Sequence, residues 1–113
     1  MNPTGLGLDI IEVKRFKKFK NKNNHFLSNN FSPTELDYCF SFKDFVVHLA
    51  STFAAKEAVF KALGKTDFLF SAIEIRHDKN GRPTAWLKNR QHKNILLSIS
   101  HTSNTAMAVA IKI

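Results

Sequence analysis

The chain has 113 residues, enough for one small domain with a real core and too few for two. Its 17 Lys and Arg against 9 Asp and Glu give a formal net charge of +8, so we expect anionic partners rather than neutral substrates. A lone Cys39 excludes an intrachain disulfide, the first five residues lack the regions of a signal peptide, and no apolar run approaches the roughly 20 residues that span a bilayer. These features predict a single cytoplasmic domain over residues 1–113, without a membrane partner.

The first predicted element is a strand over residues 4–11, in which we expect the leucines and isoleucines to be buried. This strand carries a single acid, Asp9. Gly5 and Gly7 would let another backbone or a ligand approach closely.

A basic segment follows the strand, and its spacing predicts a helix over residues 12–20 that packs through Val13, Phe16 and Phe19. The opposite face carries four cations: Lys14, Arg15, Lys17 and Lys18. A solvated basic face is the structural alternative to a binding surface. The polar patch at residues 21–25 is predicted to be a loop.

A second helix should begin at Ser32, which is suited to cap it, with Pro33 in the first helical position and Glu35 reaching back to complete a capping box. Glu35 is therefore interpreted as structural.

A longer helix is predicted from about Lys43 to Leu63, with Gly64 ending it. Its second half is apolar nearly all the way round, which is typical of a buried helix, yet it carries Lys56, Glu57 and Lys61. Because Glu57 and Lys61 are four residues apart, an ion pair at the edge of the core is the structural alternative to a functional site.

The last third of the chain predicts strands. A hairpin turns at residues 78–81, a buried strand over residues 95–100 leads into His101, and a final strand over residues 105–111 has one face made only of alanine. That face invites close packing by the long helix. The predicted fold is α+β, with an antiparallel sheet packed against one long helix.

Four segments, in order along essentially the whole chain, resemble the motifs of the holo-[acyl-carrier-protein] synthases, the small single-domain 4′-phosphopantetheinyl transferases. They are Gly7-Leu-Asp-Ile-Ile-Glu-Val-Lys-Arg-Phe16, Phe31-Ser-Pro-Thr-Glu-Leu36, Phe53-Ala-Ala-Lys-Glu-Ala-Val-Phe-Lys-Ala-Leu-Gly64 and Ser98-Ile-Ser-His101. Four ordered motifs are far more specific than any one of them.

The resemblance implies an enzyme of fatty acid biosynthesis that transfers 4′-phosphopantetheine from coenzyme A to a serine of apo acyl carrier protein and releases adenosine 3′,5′-bisphosphate. It assigns Asp9, Glu57 and Lys61 to catalysis, and Asp9 and Glu57 to a Mg²⁺ ion. Two carboxylates suit Mg²⁺, which is usually bound through only one or two protein acids.

The resemblance also implies substrate-binding residues. Those for coenzyme A are Lys43, Lys61, Gly64, Arg82, Pro83, His101 and Thr102, and those for an acidic carrier protein are Lys14, Arg15 and Lys18. For several of them, notably Lys43 and His101, an ordinary surface or turn residue is the alternative.

Because larger relatives join two such units around one site, the resemblance further implies a homotrimer with its sites at the interfaces, Asp9 and Glu57 facing Arg82 and Pro83 of a neighbour.

Two departures from the family pattern affect the nucleotide site: Thr52 replaces an arginine, and the loop at residues 65–69 is shortened. Two other functions stay open, a catalytically impaired relative and a basic nucleic-acid-binding domain. We expect no nucleic acid, because the predicted strands show no aromatic pair interleaved with basic residues.

Overall fold

The computed structural model describes residues 2–64 and 69–113. In chain order, the helices and strands are β1 (Gly5–Glu12), α1 (His25–Asn30), α2 (Pro33–Phe40), α3 (Phe45–Leu63), β2 (Ile73–His77), β3 (Pro83–Leu87), β4 (Arg90–Gln91), β5 (Ile95–His101) and β6 (Thr105–Lys112). Two short 3₁₀ helices, Val13–Phe16 and Phe70–Ala72, connect them.

The strands form two three-stranded antiparallel sheets, a first sheet ordered β1-β6-β5 and a second ordered β2-β3-β4. Helix α3 packs on β1 and β6 of the first sheet. The predicted α+β fold is therefore confirmed, and the second sheet is added to the one expected. The long helix begins at Phe45, two residues later than predicted, and ends at Leu63 as predicted.

The alanine face of β6 meets α3 as predicted: Ala106, Ala108 and Ala110 are all buried. Both glycines of β1 serve the same contact. A Cβ atom on Gly7 would lie 1.8 Å from the carbonyl oxygen of Ala58 in α3, so only glycine fits there.

The prediction that β1 buries its leucines is wrong. Leu6, Leu8 and Ile10 are exposed, while Gly7 and Ile11 face the helix. Because side chains alternate along a strand, close packing of the glycine face on α3 necessarily sends the large residues to the other side.

The predicted helix over residues 12–20 is also wrong. Strand β1 continues to Glu12 and is followed by the 3₁₀ helix Val13–Phe16. The buried residues Val13, Phe16 and Phe19 recur every three positions, which fits a 3₁₀ turn as well as one side of an α-helix. The four cations between them are exposed, as expected.

Helix α2 begins as predicted, with Ser32 Oγ accepting from the Glu35 amide and the Glu35 carboxylate accepting from the Ser32 amide. Helix α1 was not predicted; the Asn24 side chain, at the end of the polar patch, caps it by accepting from the amides of Phe26 and Leu27.

The predicted hairpin is confirmed as β2 and β3. Its turn is held by the Asp78 carboxylate, which accepts from the amides of Asn80 and Arg82, and Gly81 supplies a positive φ of 84°. Strand β5 is only half buried, because its even-numbered residues are exposed.

Candidate active site

The contact between β1 and α3 brings Asp9 and Lys61 together. The Lys61 ammonium lies 3.4 Å from the Asp9 carboxylate and donates a 2.9 Å hydrogen bond to the carbonyl of Leu8. Among residues 2–64 and 69–113, the ion pair of Lys61 is with Asp9 and not with Glu57 on its own helix. The structural alternative of an i,i+4 pair is therefore wrong, and a strand and a helix far apart in sequence meet at Lys61.

Glu57 belongs to the same cluster, one turn before Lys61 on α3. Burial raises the pKa of the Glu57 carboxyl above its ordinary value, and the Asp9 carboxylate raises it further, whereas Lys61 and Arg15 lower it. Glu57 thus shares one partly buried site with a second carboxylate and two cations. A carboxyl whose pKa is shifted by burial and by specific charged neighbours is typical of a functional site.

The buried charges of α3 lie elsewhere, at Lys56. Its side chain is 0% exposed, and its ammonium donates to Glu35 Oε1 at 2.7 Å and to the carbonyl of Ile73 at 2.6 Å. The second oxygen of Glu35 accepts from the amide of Ile75 at 2.7 Å. Glu35 is structural, as predicted, and it joins α2, α3 and β2 in addition to capping its own helix.

A second cluster lies beside the first half of α3, around a cavity of about 240 Å³. Pro83 and His101, both predicted to bind coenzyme A, line this cavity together. The other lining residues are Tyr38, His48, Ser51, Thr52, His77, Gly81 and Ile99.

The first sheet links the two clusters. Asp9 pairs with Ala108, and His101 pairs with Ala106, two residues away on the same strand. Because directly opposite residues share a face, Asp9 and His101 both lie on the side of the sheet that carries α3.

The remaining predicted coenzyme A residues are dispersed. Lys43 is exposed just before α3, and Gly64 ends the helix with a φ of 70°. Arg82 lines a separate cavity of about 540 Å³ between the hairpin and β5. Thr102 accepts from the amides of Asn104 and Thr105 and shapes the turn after β5.

Thr52, which replaces the family arginine, is buried and forms a 3.4 Å contact with the Cys39 sulfur. Burial raises the pKa of the Cys39 thiol to about 12, so this thiol stays protonated and inert. Residues 65–68 of the shortened loop lie outside the described residues.

Two cations of the basic segment border a small apolar cavity. Arg15 and Lys18 line a cavity of about 180 Å³ with Phe16, Phe19 and Phe26, and we call this surface the basic rim. The Lys18 ammonium lies 5.5 Å from the centre of the Phe19 ring. Lys14 is also exposed, where it pairs with Glu12 at 3.1 Å.

In the cluster of Asp9, Glu57 and Lys61, the two carboxylates are the side chains that suit a metal ion. Within the described part of the chain, no group of three or more His, Cys, Asp or Glu converges as a complete ligand set. Two carboxylates fit Mg²⁺, which takes its other ligands from phosphates and water, and do not fit a structural zinc site.

Fold and site together define a phosphopantetheinyl transferase domain. Residues 5–111 match the 4′-phosphopantetheinyl transferase superfamily, so the chain belongs to that family. Within it, the chain is similar to proteins named holo-[acyl-carrier-protein] synthase. It is 42% identical to the one from Caldanaerobacter subterraneus, over 96% of this chain and 93% of that protein. It is 44% identical to the one from Caldicellulosiruptor saccharolyticus, over 94% and 93%.

The chain is also similar in fold to solved structures of holo-[acyl-carrier-protein] synthases. The holo-[acyl-carrier-protein] synthase of Neisseria meningitidis matches with a TM-score of 0.80 at 28% identity, covering 99% of both chains. That of Bacillus anthracis, solved in complex with CoA (3′,5′-ADP), matches with a TM-score of 0.79 at 30% identity, over 97% of this chain and 96% of that one. That of Helicobacter pylori, in complex with coenzyme A, matches with a TM-score of 0.76 at 30% identity, over 96% and 99%.

Sequence reasoning missed His48, Ser51 and His77, which line the cavity next to His101. A signal for two of them was present: His48, Ser51 and Thr52 are spaced three and four apart on an otherwise apolar helix, so they share one polar face. His77 reaches the same cavity only through the packing of the second sheet.

Proposed function

We propose that this chain transfers 4′-phosphopantetheine from coenzyme A to a serine of apo acyl carrier protein, in fatty acid biosynthesis. The observation that carries the proposal is the meeting of Asp9, Glu57 and Lys61 at the contact of β1 with α3. The names of the relatives support it. In the described chain no helix is long and apolar enough to cross a bilayer.

In this reaction the serine hydroxyl loses its proton, its oxygen forms a bond to the β-phosphorus of coenzyme A, and the bond from that phosphorus to the bridging oxygen breaks. Adenosine 3′,5′-bisphosphate leaves, and the serine proton is released to water. In this proposal the Lys61 ammonium contacts the phosphates and stabilises the charge of the departing group. Its contacts with Asp9 and the Leu8 carbonyl, which fix its position, support this role.

Asp9 and Glu57 would hold a Mg²⁺ ion, which supplies charge neutralisation on the pyrophosphate when bound. Burial raises the pKa of Glu57, and the Asp9 carboxylate raises it further; the contribution of Asp9 supports this assignment, since a divalent cation would relieve the repulsion between the two carboxylates. The proposal further assigns the nucleotide to the sheet side that carries His101, with Lys43, Gly64, Arg82, Pro83 and Thr102 as its other contacts.

The test is the intact mass of an apo acyl carrier protein after incubation with this chain, coenzyme A and Mg²⁺. We expect a gain of one phosphopantetheine that a chelator abolishes. Absence of the gain with several acidic carrier proteins, from a folded preparation, would instead favour an impaired relative. Tight RNA binding with a steep salt dependence would favour the nucleic-acid-binding alternative.

We propose that the chain is a homotrimer, with Arg82 and Pro83 of the partner subunit completing the site. Support comes from the outer face of the first sheet, which carries a continuous set of exposed apolar residues: Leu6, Leu8, Ile10, Leu96 and Met107. Leu6 is 67% exposed and is aligned through Ile111 with Leu96 across the three strands. Contiguous patches of this kind mark interfaces between proteins.

A lysine in the middle of this face should break the assembly. We expect Leu8→Lys to convert a trimer into a monomer in light scattering and to lower transfer activity with it, because an ammonium cannot be buried unpaired. Leu69→Lys is the control for assembly and should leave the trimer intact, since Leu69 is also largely exposed, at 72% against 54% for Leu8, but lies outside the first sheet. A trimeric Leu8→Lys protein, or a fully active monomer, would contradict the proposal.

The basic rim is proposed to dock the carrier protein, because its cations surround an apolar floor and acyl carrier proteins are acidic. Arg15 also lowers the pKa of Glu57, so a change at Arg15 affects the active site as well as the rim. Lys18 is the cleaner residue to test.

We expect Lys18→Glu to raise the KM for carrier protein about threefold to tenfold, an effect that shrinks at high salt, with the KM for coenzyme A unchanged. Arg90→Glu carries the same charge change on β4 of the second sheet and should leave both constants unchanged. Equal changes in the two KM values for Lys18→Glu would argue against docking at the rim.

A further inference from the structure

Three imidazoles border the cavity of about 240 Å³ beside α3. His48 comes from α3, His77 from β2 and His101 from the end of β5. Ring centres of His48 and His101 are 6.2 Å apart. A volume of this size is below the range of about 300–1,000 Å³ typical for a whole ligand, so it suits one end of a larger molecule.

The hydroxyl of Ser51 gives a second, independent indication of a ligand. Ser51 is 6% exposed, lines the same cavity, and its buried Oγ has no hydrogen-bond partner among the described residues. An unmet buried hydroxyl costs roughly 1–3 kcal/mol, so a polar group supplied from the cavity would be favoured there.

Two of the imidazole rings are stacked on aromatic rings. The Phe42 ring stacks on His48 with centres 3.7 Å apart, and the Tyr38 ring stacks on His77 with centres 4.0 Å apart. An aromatic face also stabilises a protonated imidazole through a cation–π interaction. The rings are therefore fixed in position and can accept a positive charge.

Burial and nearby carboxylates have opposite effects on the protonation of His48 and His77. Burial lowers the pKa of His48 and of His77; Asp44, whose carboxylate lies 3.5 Å from His48 Nε2, acts the other way. The neighbouring titratable groups are Asp44 just before α3, Tyr38 on α2, His77 at the end of β2, Asp78 in the hairpin turn and His101 at the end of β5. At neutral pH His48 and His77 are therefore largely uncharged, and an added anion would draw protons onto them.

We propose that His48, Ser51 and His77, together with His101, form a proton-linked site for a phosphate monoester. This rests on the proposed function, which makes the 3′-phosphate at the nucleotide end of coenzyme A the source of that group. The hydroxyl of Ser51 donates to the phosphate, His48 and His77 bind it as imidazolium ions, and His101 is a further contact. Affinity for coenzyme A then rises as the pH falls, and binding takes up protons.

The test is calorimetric titration with coenzyme A and with dephospho-coenzyme A, at pH 8.0 and pH 6.5, in buffers of different ionisation enthalpy. Coenzyme A should bind about threefold to tenfold more tightly at pH 6.5, with proton uptake, and dephospho-coenzyme A should show neither effect. Most of the phosphate stays dianionic in this range, because its second pKa is about 6. Inorganic phosphate should compete with coenzyme A for binding and should not compete with dephospho-coenzyme A.

Two variants make the test specific. Ser51→Ala should weaken coenzyme A binding about tenfold without lowering the melting temperature, because it removes an unpartnered hydroxyl. His48→Gln should weaken the pH dependence, because it removes one of the histidines that take up a proton, whereas His25→Gln, at the start of α1, should retain it in full. Equal pH dependence for both ligands, or unchanged binding in both Ser51→Ala and His48→Gln, would overturn the proposal. Mass gain on a carrier protein at pH 8.0 and saturating coenzyme A reports on the transferase reaction separately.

Discussion

Lys56→Met should destabilise the protein by about 3–5 kcal/mol, because it leaves the buried Glu35 carboxylate without its counter-charge. The Lys56 ammonium is fully enclosed and is bonded to Glu35 and to the carbonyl of Ile73. For a domain of this size the loss corresponds to a fall in melting temperature of roughly 4–8 °C for each kcal/mol. Thermal unfolding should be compared at one protomer concentration, because assembly shifts apparent stability.

The same variant should show a distinctive pH dependence. Burial raises the pKa of Glu35 above 4.5, and the charge of Lys56 opposes that rise, so removing Lys56 raises this pKa further. A carboxyl with a raised folded-state pKa loses stability as the pH increases from its unfolded value to its folded value. The deficit of Lys56→Met should therefore be smaller at pH 5 than at pH 7.5.

Lys20→Met is the matched control, since Lys20 is exposed and should change stability by less than about 0.5 kcal/mol. A double variant, Glu35→Gln with Lys56→Met, should be less destabilised than the sum of the single changes, because the two residues interact directly. Additive effects, or a deficit independent of pH, would mean that the pair contributes only packing.

Local signals in the sequence predicted the local features of the fold. The capping box at Ser32 and Glu35, the end of α3 before Gly64 and the hairpin turn at Asp78 each depend on residues within a few positions of one another. Their chemistry is complete in one segment, so tertiary packing did not change the outcome.

The errors arose where packing decided between two readings of one pattern. In β1, large apolar residues alternate with small ones, and either face could have been the inner one. Glycine decided it, because α3 approaches within contact of the backbone at Gly7. The exposed apolar face of β1 and a core face have the same kind of composition, so the sequence did not distinguish them.

The candidate site was predicted in its residues but not in its pairings. Asp9, Glu57 and Lys61 do meet, yet Lys61 pairs across to β1 instead of along its helix. The partner of Lys56 lies 21 residues away on another helix, and no local spacing indicates such a pair. Long-range ion pairs depend on how whole elements dock, which periodicity does not describe.

Glu57→Gln should lower kcat for phosphopantetheine transfer by about 100- to 1,000-fold without destabilising the fold, because an electrostatic contribution of this kind is made mainly in the transition state. The amide keeps the shape of the side chain and removes its charge. Since burial and Asp9 already disfavour that charge, as the raised pKa shows, the neutral variant should be at least as stable as the parent. Melting temperature and kcat, measured on one preparation, check both parts.

The control is Glu12→Gln, at the exposed end of β1, which should retain activity within about twofold, as expected of a surface change away from the site. Asp9→Asn should resemble Glu57→Gln, and if both carboxylates hold one metal ion, the double variant should be scarcely worse than either single one. The residual transfer activity of the double variant should also no longer require Mg²⁺. Independent, multiplying losses would show that Asp9 and Glu57 act separately, and a Glu57→Gln enzyme with near-normal kcat would remove the acid pair from the mechanism.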